Sequence, residues 1–179
     1  MIGRVALALL LGGSSIAHAQ ATAAATRAGD LQVGVGYTSA QPDYSPHRFT
    51  GYAAYADFDF RPNLGIEAEI HKVNTSGNDQ SYQMTYDVGV RYFRTYGRVV
   101  PYVKAMVGRG DFNYPYGYTN LSYTLYAGGV GADFKVSTHL RVRGEYEYQR
   151  WTSFTPNGLT PQLITIGAAY HFGGKTRYK

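Results

Sequence analysis

Two pairs of carboxylates stand at alternate positions in this sequence, Glu67 with Glu69 and Glu145 with Glu147. His71 continues the first pair at the same spacing. Alternate residues of a β-strand share one face, so this spacing has the geometry of a metal site or an acid/base pair. It equally suits a buried ion-pair network, provided that basic side chains face the acids.

Basic residues do recur at positions that would share this face, and buried charges persist only when they are paired. We therefore favour the network and predict no metal ligand. The acids outnumber the bases, so either His71 and His171 are charged or some carboxylates are protonated or hydrated. The predicted network comprises Asp57, Asp59, Glu67, Glu69, Asp87, Arg91, Lys104, Asp133, Arg141, Arg143, Glu145 and Glu147. We expect Arg91 and Arg143 to be its central cations and to bridge Glu67, Glu69, Glu145 and Glu147.

No set of nucleophile, base and orienting group emerges from the sequence. Ser122 and Ser153 have no histidine nearby, and His47 is the only candidate base. The patterns Gly34-Val35-Gly36 and Gly129-Val130-Gly131 do not have the context of phosphate-binding loops, so we interpret them as packing glycines. We predict no catalytic residue and no cofactor, and hence no enzyme.

Eight segments of alternating apolar and polar residues follow one another along the chain, which predicts β-strands. Long and short connections alternate between them, as in outer-membrane barrels with long extracellular loops and short periplasmic turns. This order places both chain ends on the periplasmic side. The predicted strands are 29–38, 50–60, 64–72, 82–93, 99–110, 121–135, 140–151 and 161–172.

One face of each predicted strand is apolar. In the last strand Ile164, Ile166 and Ala168 share a face with Tyr170 and Phe172. The charged residues fall on the opposite face, and ionised groups that point at lipid would cost several kcal/mol each, so that face is the lumen. A soluble calycin-like barrel, with the apolar face inside, is the alternative that alternation alone leaves open.

The N-terminus predicts export. Arg4, a short apolar run and Ala17-His18-Ala19 form a signal peptide, with a second cleavage site at Ala19-Gln20-Ala21. The sequence contains no cysteine, so disulfides and thiolate metal sites are excluded. The predicted organisation is a signal peptide at 1–19, a flexible lead-in at 20–28, a barrel at 29–172 and a periplasmic tail at 173–179.

Several stretches carry a resemblance to a known family. Gly128–Phe134, Arg143–Trp151 and Ile166–Phe172 resemble the last three strands of small outer-membrane barrels of the OmpA/OmpX type, and Pro101-Tyr102-Val103 resembles the start of the fifth. The resemblance implies an eight-stranded antiparallel up-and-down transmembrane β-barrel in the cell outer membrane. It also implies that Tyr170 and Phe172 are an assembly signal, read by the barrel-assembly machinery. The peptidoglycan-binding domain of OmpA is not carried over.

The leading functional hypothesis is a membrane-anchored scaffold that displays surface loops and whose lumen is closed by the charge network. A narrow pore and an outer-leaflet lipid-modifying enzyme are the alternatives. The aromatic loop 111–120 fits either recognition or a girdle at the rim, and its ligand is not specified by the sequence.

The predicted partners of the barrel are outer-membrane lipids and not nucleic acid, because no basic cluster is interleaved with aromatics on one face. A basic rim on the periplasmic side could hold anionic headgroups. Its predicted members are Arg27, Arg61, Arg94, Arg98, Lys135, Lys175, Arg177 and Lys179.

Overall fold

The computed structural model describes residues 29–43, 45–74, 82–113, 120–152 and 158–172. The described residues include no helix long and apolar enough to span a membrane. The predicted signal peptide, lead-in and tail lie outside the described residues. Within them the chain forms eight strands: β1 (Asp30–Gln41), β2 (Phe49–Arg61), β3 (Leu64–Asn74), β4 (Tyr82–Phe93), β5 (Val99–Asn113), β6 (Asn120–Lys135), β7 (Leu140–Trp151) and β8 (Gln162–His171).

Each strand pairs antiparallel with the next, and β8 pairs with β1, so that the sheet closes into a barrel. The predicted fold class is thus confirmed. Closure leaves no sheet edge without a partner, which is what a sheet in hydrocarbon requires. Across the seam, Val33 is opposite Tyr170 and Thr38 is opposite Thr165.

The two ends of the barrel differ. The turn end carries the connections 62–63, 94–98 and 136–139, together with Asp30 at the start of β1 and His171 at the end of β8. The loop end carries the connections 42–48, 75–81, 114–119 and 152–161. Several strands run further toward the loop end than the sequence predicts. The predicted loop 111–120 is shortened to 114–119, because β5 and β6 stay paired as far as Asn113 and Asn120.

The distribution of exposed side chains decides which face of the sheet is inside. Val35 and Ile166 on the outer face are 65% and 64% exposed, whereas Glu67 and Arg143 on the inner face are fully buried. A soluble barrel would show the reverse arrangement. The apolar-inside alternative is therefore wrong for this chain, because the apolar residues face outward and the charges inward.

The turn at 94–98 is tight. Tyr96 and Val99 exchange backbone hydrogen bonds of 2.8 and 3.0 Å, and Gly97 adopts a φ of 60° between them. A two-residue hairpin loop requires such a left-handed conformation, which glycine adopts at little cost. Asn63 links this turn to its neighbour, because its side-chain Nδ2 donates to the carbonyl oxygen of Phe93 at 3.0 Å.

Candidate functional site: the barrel lumen

The inward side chains of β7 cross the whole lumen from one end to the other. Because alternate residues of a strand face the same way, β7 presents one polar or aromatic group at each level of the interior. From the turn end to the loop end these groups are Arg141, Arg143, Glu145, Glu147, Gln149 and Trp151, all of them buried. The other strands supply partners at each level.

Arg143 is held by carboxylates from three strands. Its Nη2 donates to Asp57 at 2.5 Å, its Nε to Asp133 at 2.8 Å and its Nη1 to Glu67 at 3.2 Å. Arg91 donates to two of the same acids, to Asp57 at 3.1 Å and to Asp133 at 2.5 Å. We call these five residues the arginine cluster; it ties β2, β3, β4, β6 and β7 together across the lumen.

Aromatic rings cover the two guanidinium groups. The Cζ of Arg143 lies 4.0 Å from the centre of the Tyr55 ring and 4.8 Å from that of Tyr102. Arg91 lies 4.2 Å from the Tyr102 ring and 5.4 Å from that of Phe93. Rings stabilise a desolvated cation through its attraction to their π faces. The rings also occupy space that water would otherwise fill.

Lys104 is the centre of a second group, which we call the lysine cluster. Its Nζ donates to Glu145 at 2.8 Å and also to Glu69, and it pairs with Glu147 at 2.8 Å. Glu67 contacts this lysine at 3.1 Å and Arg143 at 3.2 Å. The two clusters therefore form one continuous network.

The pairing within this network differs from the prediction. The arginines do not bridge all four glutamates as predicted, because Glu69, Glu145 and Glu147 pair with Lys104. Arg91 and Arg143 instead take Asp57 and Asp133, beside the shared Glu67. The stagger between strands determines which residues lie at one level, and period-two alternation does not reveal that stagger.

His71 and Asp87 lie beside the lysine cluster. The Nε2 of His71 is 3.2 Å from Glu69, and its Nδ1 is 3.4 Å from the Thr85 hydroxyl. Asp87 is 5% exposed, and neither of its carboxylate oxygens has a hydrogen-bond partner among the described residues. Asp87 was predicted as a member of the ion-pair network, yet the structure gives it no cation within pairing distance among these residues.

Two further predicted members lie nearer the turn end. Arg141 is 3.6 Å from Asp30, a residue that also contacts His171. Asp59 is 3.9 Å from Arg91, which is a marginal contact. All twelve predicted residues are thus buried inside the barrel, but they differ in the number of ion pairs that they make.

Apolar and aromatic residues fill the lumen above the charges at the loop end. Trp151 packs with Phe112, Leu125 and Leu159, and its indole nitrogen donates to Gln149 at 2.9 Å. Gln149 in turn donates to Glu147 at 2.7 Å. A chain of hydrogen bonds therefore connects this apolar group, the tryptophan plug, to the lysine cluster.

Glycines provide the space for the largest inward side chains. A Cβ placed on Gly131 would come within 2.5 Å of Tyr102, one on Gly34 within 2.3 Å of Tyr55, and one on Gly110 within 2.7 Å of Trp151. Several uncharged polar residues also make lumen contacts that were not predicted from the sequence. Gln32 donates to Asp57 at 2.9 Å, and the hydroxyls of Thr38 and Thr165 are 2.8 Å apart. The period-two pattern could have found them, since they share parity with the charged positions.

Comparison with known proteins agrees with this architecture. The family model described as "Outer membrane protein beta-barrel domain" matches residues 5–172. The chain belongs to this family. It is therefore an outer-membrane protein whose strands cross the bilayer, as predicted. No curated protein sequence matches the chain.

Solved structures show the same fold in other outer-membrane barrels. Neisserial surface protein A is similar with a TM-score of 0.65 at 10% identity, over 79% of this chain and 95% of that protein. OprG from Pseudomonas aeruginosa gives 0.59 at 15% identity, over 83% and 98%. Ail, the attachment invasion locus protein of Yersinia pestis, gives 0.58 at 17% identity, over 80% and 99%. At these identities the similarity concerns the fold.

In this outer-membrane barrel the proposed assembly signal lies at the turn end of β8. Tyr170 and Phe172 both point outward, with their ring centres 4.8 Å apart. The backbone nitrogen of Phe172 donates to Leu31 at 2.8 Å, so pairing with β1 continues up to this residue. The two rings are accessible from the bilayer; their role in assembly remains a prediction.

Proposed function

We propose that this protein is a non-conducting outer-membrane scaffold that holds its loop-end hairpins above the membrane. The observation that carries the proposal is the charge network across the lumen. An eight-stranded barrel has an interior only just wide enough for its side chains. Here Arg91, Lys104 and Arg143 join acids from facing walls, so the central lumen is cross-linked as well as filled.

The tryptophan plug supports a closed lumen independently of the charges. Leu125 and Trp151 have no exposed surface, and Leu159 is 4% exposed. An ion that crossed the barrel would have to displace these apolar groups and then pass between paired charges. Both steps carry a large free-energy cost, because neither environment replaces the hydration of the ion.

The β5–β6 hairpin supports the scaffold role. A strand needs about 9–11 residues to cross the hydrocarbon core, whereas β5 has 15 and β6 has 16. The outward face of β5 changes from Val103, Ala105 and Val107 to Arg109 and Asp111. Such a change from apolar to charged residues is expected where a strand leaves the lipid.

The extension of this hairpin carries its own polar cluster on the outer face. Arg109 donates to Asp111 at 3.1 Å and to the Ser122 hydroxyl at 2.5 Å, and Ser122 donates to Asp111 at 2.5 Å. These contacts join the two strands beyond the apolar band. The hairpin is thereby presented as a paired, ordered surface, which suits recognition by a partner outside the cell.

Conductance in planar bilayers tests the closed lumen. We expect the purified wild-type barrel to give no stable channel, with insertion verified by the shifted gel migration of the unheated protein. The variant Arg143→Met, which frees three carboxylates from one cation, should give brief small currents if the network is the barrier. Large, stable single-channel currents from the wild type would contradict the proposal and favour the pore alternative.

Surface labelling on intact cells tests the display of the hairpin. An epitope inserted within 114–119 should bind antibody on intact cells. The same epitope within the turn 136–139 is the matched control and should bind only after the outer membrane is permeabilised. The opposite pattern would invert the orientation and overturn the scaffold role.

Turnover of phospholipid or lipid A by the purified barrel would instead support the enzyme alternative.

A further inference from the structure

The lysine cluster has more negative than positive groups around it. Glu69, Glu145 and Glu147 contact Lys104. Asp87 is directly opposite Glu69 on the neighbouring strand β4. One lysine cannot offset four carboxylates, and unbalanced charge is costly in a desolvated interior. His71 contributes at most one further positive charge.

Asp87 is the residue that the ion pairs leave out. It is 5% exposed, and both of its oxygens lack a hydrogen-bond partner among the described residues. A buried polar group without a partner calls for an explanation, such as an ion that belongs at the site. Asp87 is also near a potential ligand of a different type, the imidazole of His71.

Three side chains from three strands converge at this point. Ligand atoms of His71 on β3, Asp87 on β4 and Glu147 on β7 all lie within 4.8 Å of one another. A Zn²⁺ ion bonded to nitrogen and oxygen at about 2.0–2.2 Å has ligands roughly 3–4 Å apart, so small side-chain rotations would bring these three atoms to ligand spacing and leave a fourth position open. His71 also belongs to a second group of this kind, with Glu69 and Glu145.

We propose that His71, Asp87 and Glu147 form a binding site for a divalent transition-metal ion of the Zn²⁺ class. The imidazole favours such ions over Mg²⁺ and Ca²⁺, which prefer oxygen alone. The ion supplies the positive charge that Lys104 does not, and it gives the Asp87 carboxylate a partner. Glu147 contacts Gln149 at 2.7 Å through Oε1 and Lys104 at 2.8 Å through Oε2. The ion shares Oε2 with the lysine, since each carboxylate oxygen has two lone pairs.

The position of the site determines how it is loaded. The tryptophan plug closes the lumen on one side and the arginine cluster on the other. An ion therefore enters readily while the barrel forms and slowly after it has closed. The proposal concerns the interior alone and is independent of whether the hairpins act as a scaffold.

The test uses the full chain refolded into phospholipid vesicles, with either Zn²⁺ or EDTA present. After washing, we expect about one Zn²⁺ per wild-type barrel and a higher midpoint of urea unfolding than in EDTA, since binding to the folded state alone stabilises it. Mg²⁺ should give neither effect. The variant Asp87→Asn should bind Zn²⁺ at least tenfold more weakly and should lose the metal-dependent shift of the midpoint.

Two controls separate this site from general effects of charge. Asp59→Asn makes the same change elsewhere in the lumen, and His139→Gln removes an exposed imidazole; both should retain the metal. In EDTA, Asp87→Asn should be at least as stable as the wild type, because it removes a charge that lacks a partner. If Asp87→Asn fails to fold, His71→Gln replaces it. Absence of bound Zn²⁺ in the wild type, or equal binding by the variants of His71 and Asp87, would overturn the proposal.

Discussion

Arg143 lies at the centre of the arginine cluster. It has no exposed surface, and it pairs with carboxylates of β2, β3 and β6. We expect Arg143→Met to lower the free energy of unfolding by about 3–5 kcal/mol, because removing one partner leaves buried charges uncompensated. Urea titration of the folded barrel in vesicles measures this change.

Arg109→Met is the matched control for that substitution. Arg109 pairs with Asp111 at 3.1 Å, but its side chain is 66% exposed. An exposed ion pair contributes about 0–1 kcal/mol, so this variant should unfold close to the wild-type midpoint. Equal losses for the two variants would mean that the interior network does not stabilise the barrel.

The sequence could predict which residues face the lumen but not which of them pair. Parity along a strand places Lys104 and Glu147 on the inner face, and that information is local. Their contact depends on the stagger of β5 against β6 and β7, since Gly129 of β6 is the register partner of both. The pattern within a single strand contains no information on this stagger. The predicted pairing of Glu69, Glu145 and Glu147 with the arginines was wrong for that reason.

Within a single strand, glycines on opposite faces have different roles. Gly131 of β6 lies against the Tyr102 ring, whereas a Cβ on Gly128 of the same strand would meet no atom within 4 Å. We expect Gly131→Ala to destabilise the barrel by about 1–3 kcal/mol, the usual cost of overpacking. The change in the urea midpoint in vesicles measures it.

Gly128→Ala serves as the control on the same strand. Glycine in a strand interior costs roughly 0.5–1 kcal/mol relative to alanine, so this variant should be neutral or slightly stabilised. If Gly128→Ala were as damaging as Gly131→Ala, the effect would come from the backbone of β6 and not from the space that Tyr102 occupies.

The strands themselves were largely predictable, because alternation and turn residues are local signals. The bounds of β4 and β7 agree with the prediction, and most other bounds differ by a few residues. The loop-end extension of β5 and β6 was missed in part. The outward residues become polar after Val107, and the predicted strand ends at 110, although backbone pairing continues to Asn113.

At the scale of the whole molecule, the last strand has to complete the barrel by pairing with the first. We predict that Phe172→Ser reduces the amount of folded protein in the outer membrane several-fold, because the terminal aromatic strand is expected to be read by the assembly machinery. The measurement is the amount of heat-modifiable protein in the outer-membrane fraction of cells.

Phe134→Ser is a matched control, since Phe134 and Phe172 are 45% and 48% exposed on the outer surface. Both variants lose one aromatic contact with lipid, but only Phe172 follows the closing strand. Equal levels of the two variants in the outer membrane would mean that the terminal position of the ring carries no signal.

The turn end also carries a basic rim. Arg61, Arg94 and Arg98 are exposed there, and Lys135 is partly exposed; the other predicted members lie outside the described residues. Each should contribute up to about 1 kcal/mol of attraction to an anionic surface. Replacing Arg61, Arg94 and Arg98 with glutamine should lower stability in anionic vesicles but not in neutral ones. The loop-end variant Arg109→Gln should show no such difference, and equal stability of the triple variant in both lipids would contradict the role of the rim.

The inward placement of the charges also affects how the chain travels. Before it folds, an outer-membrane protein must cross the inner membrane, which retains segments of about 20 apolar residues and strongly disfavours charges at their centre. The described strands are short, and β2, β3, β4, β5, β6, β7 have charged residues between their apolar ones. The charged groups that pair across the folded lumen therefore also keep the unfolded chain from being retained in the inner membrane. Replacing several of them with leucine would risk diverting the protein into the wrong membrane, whatever its effect on the folded barrel.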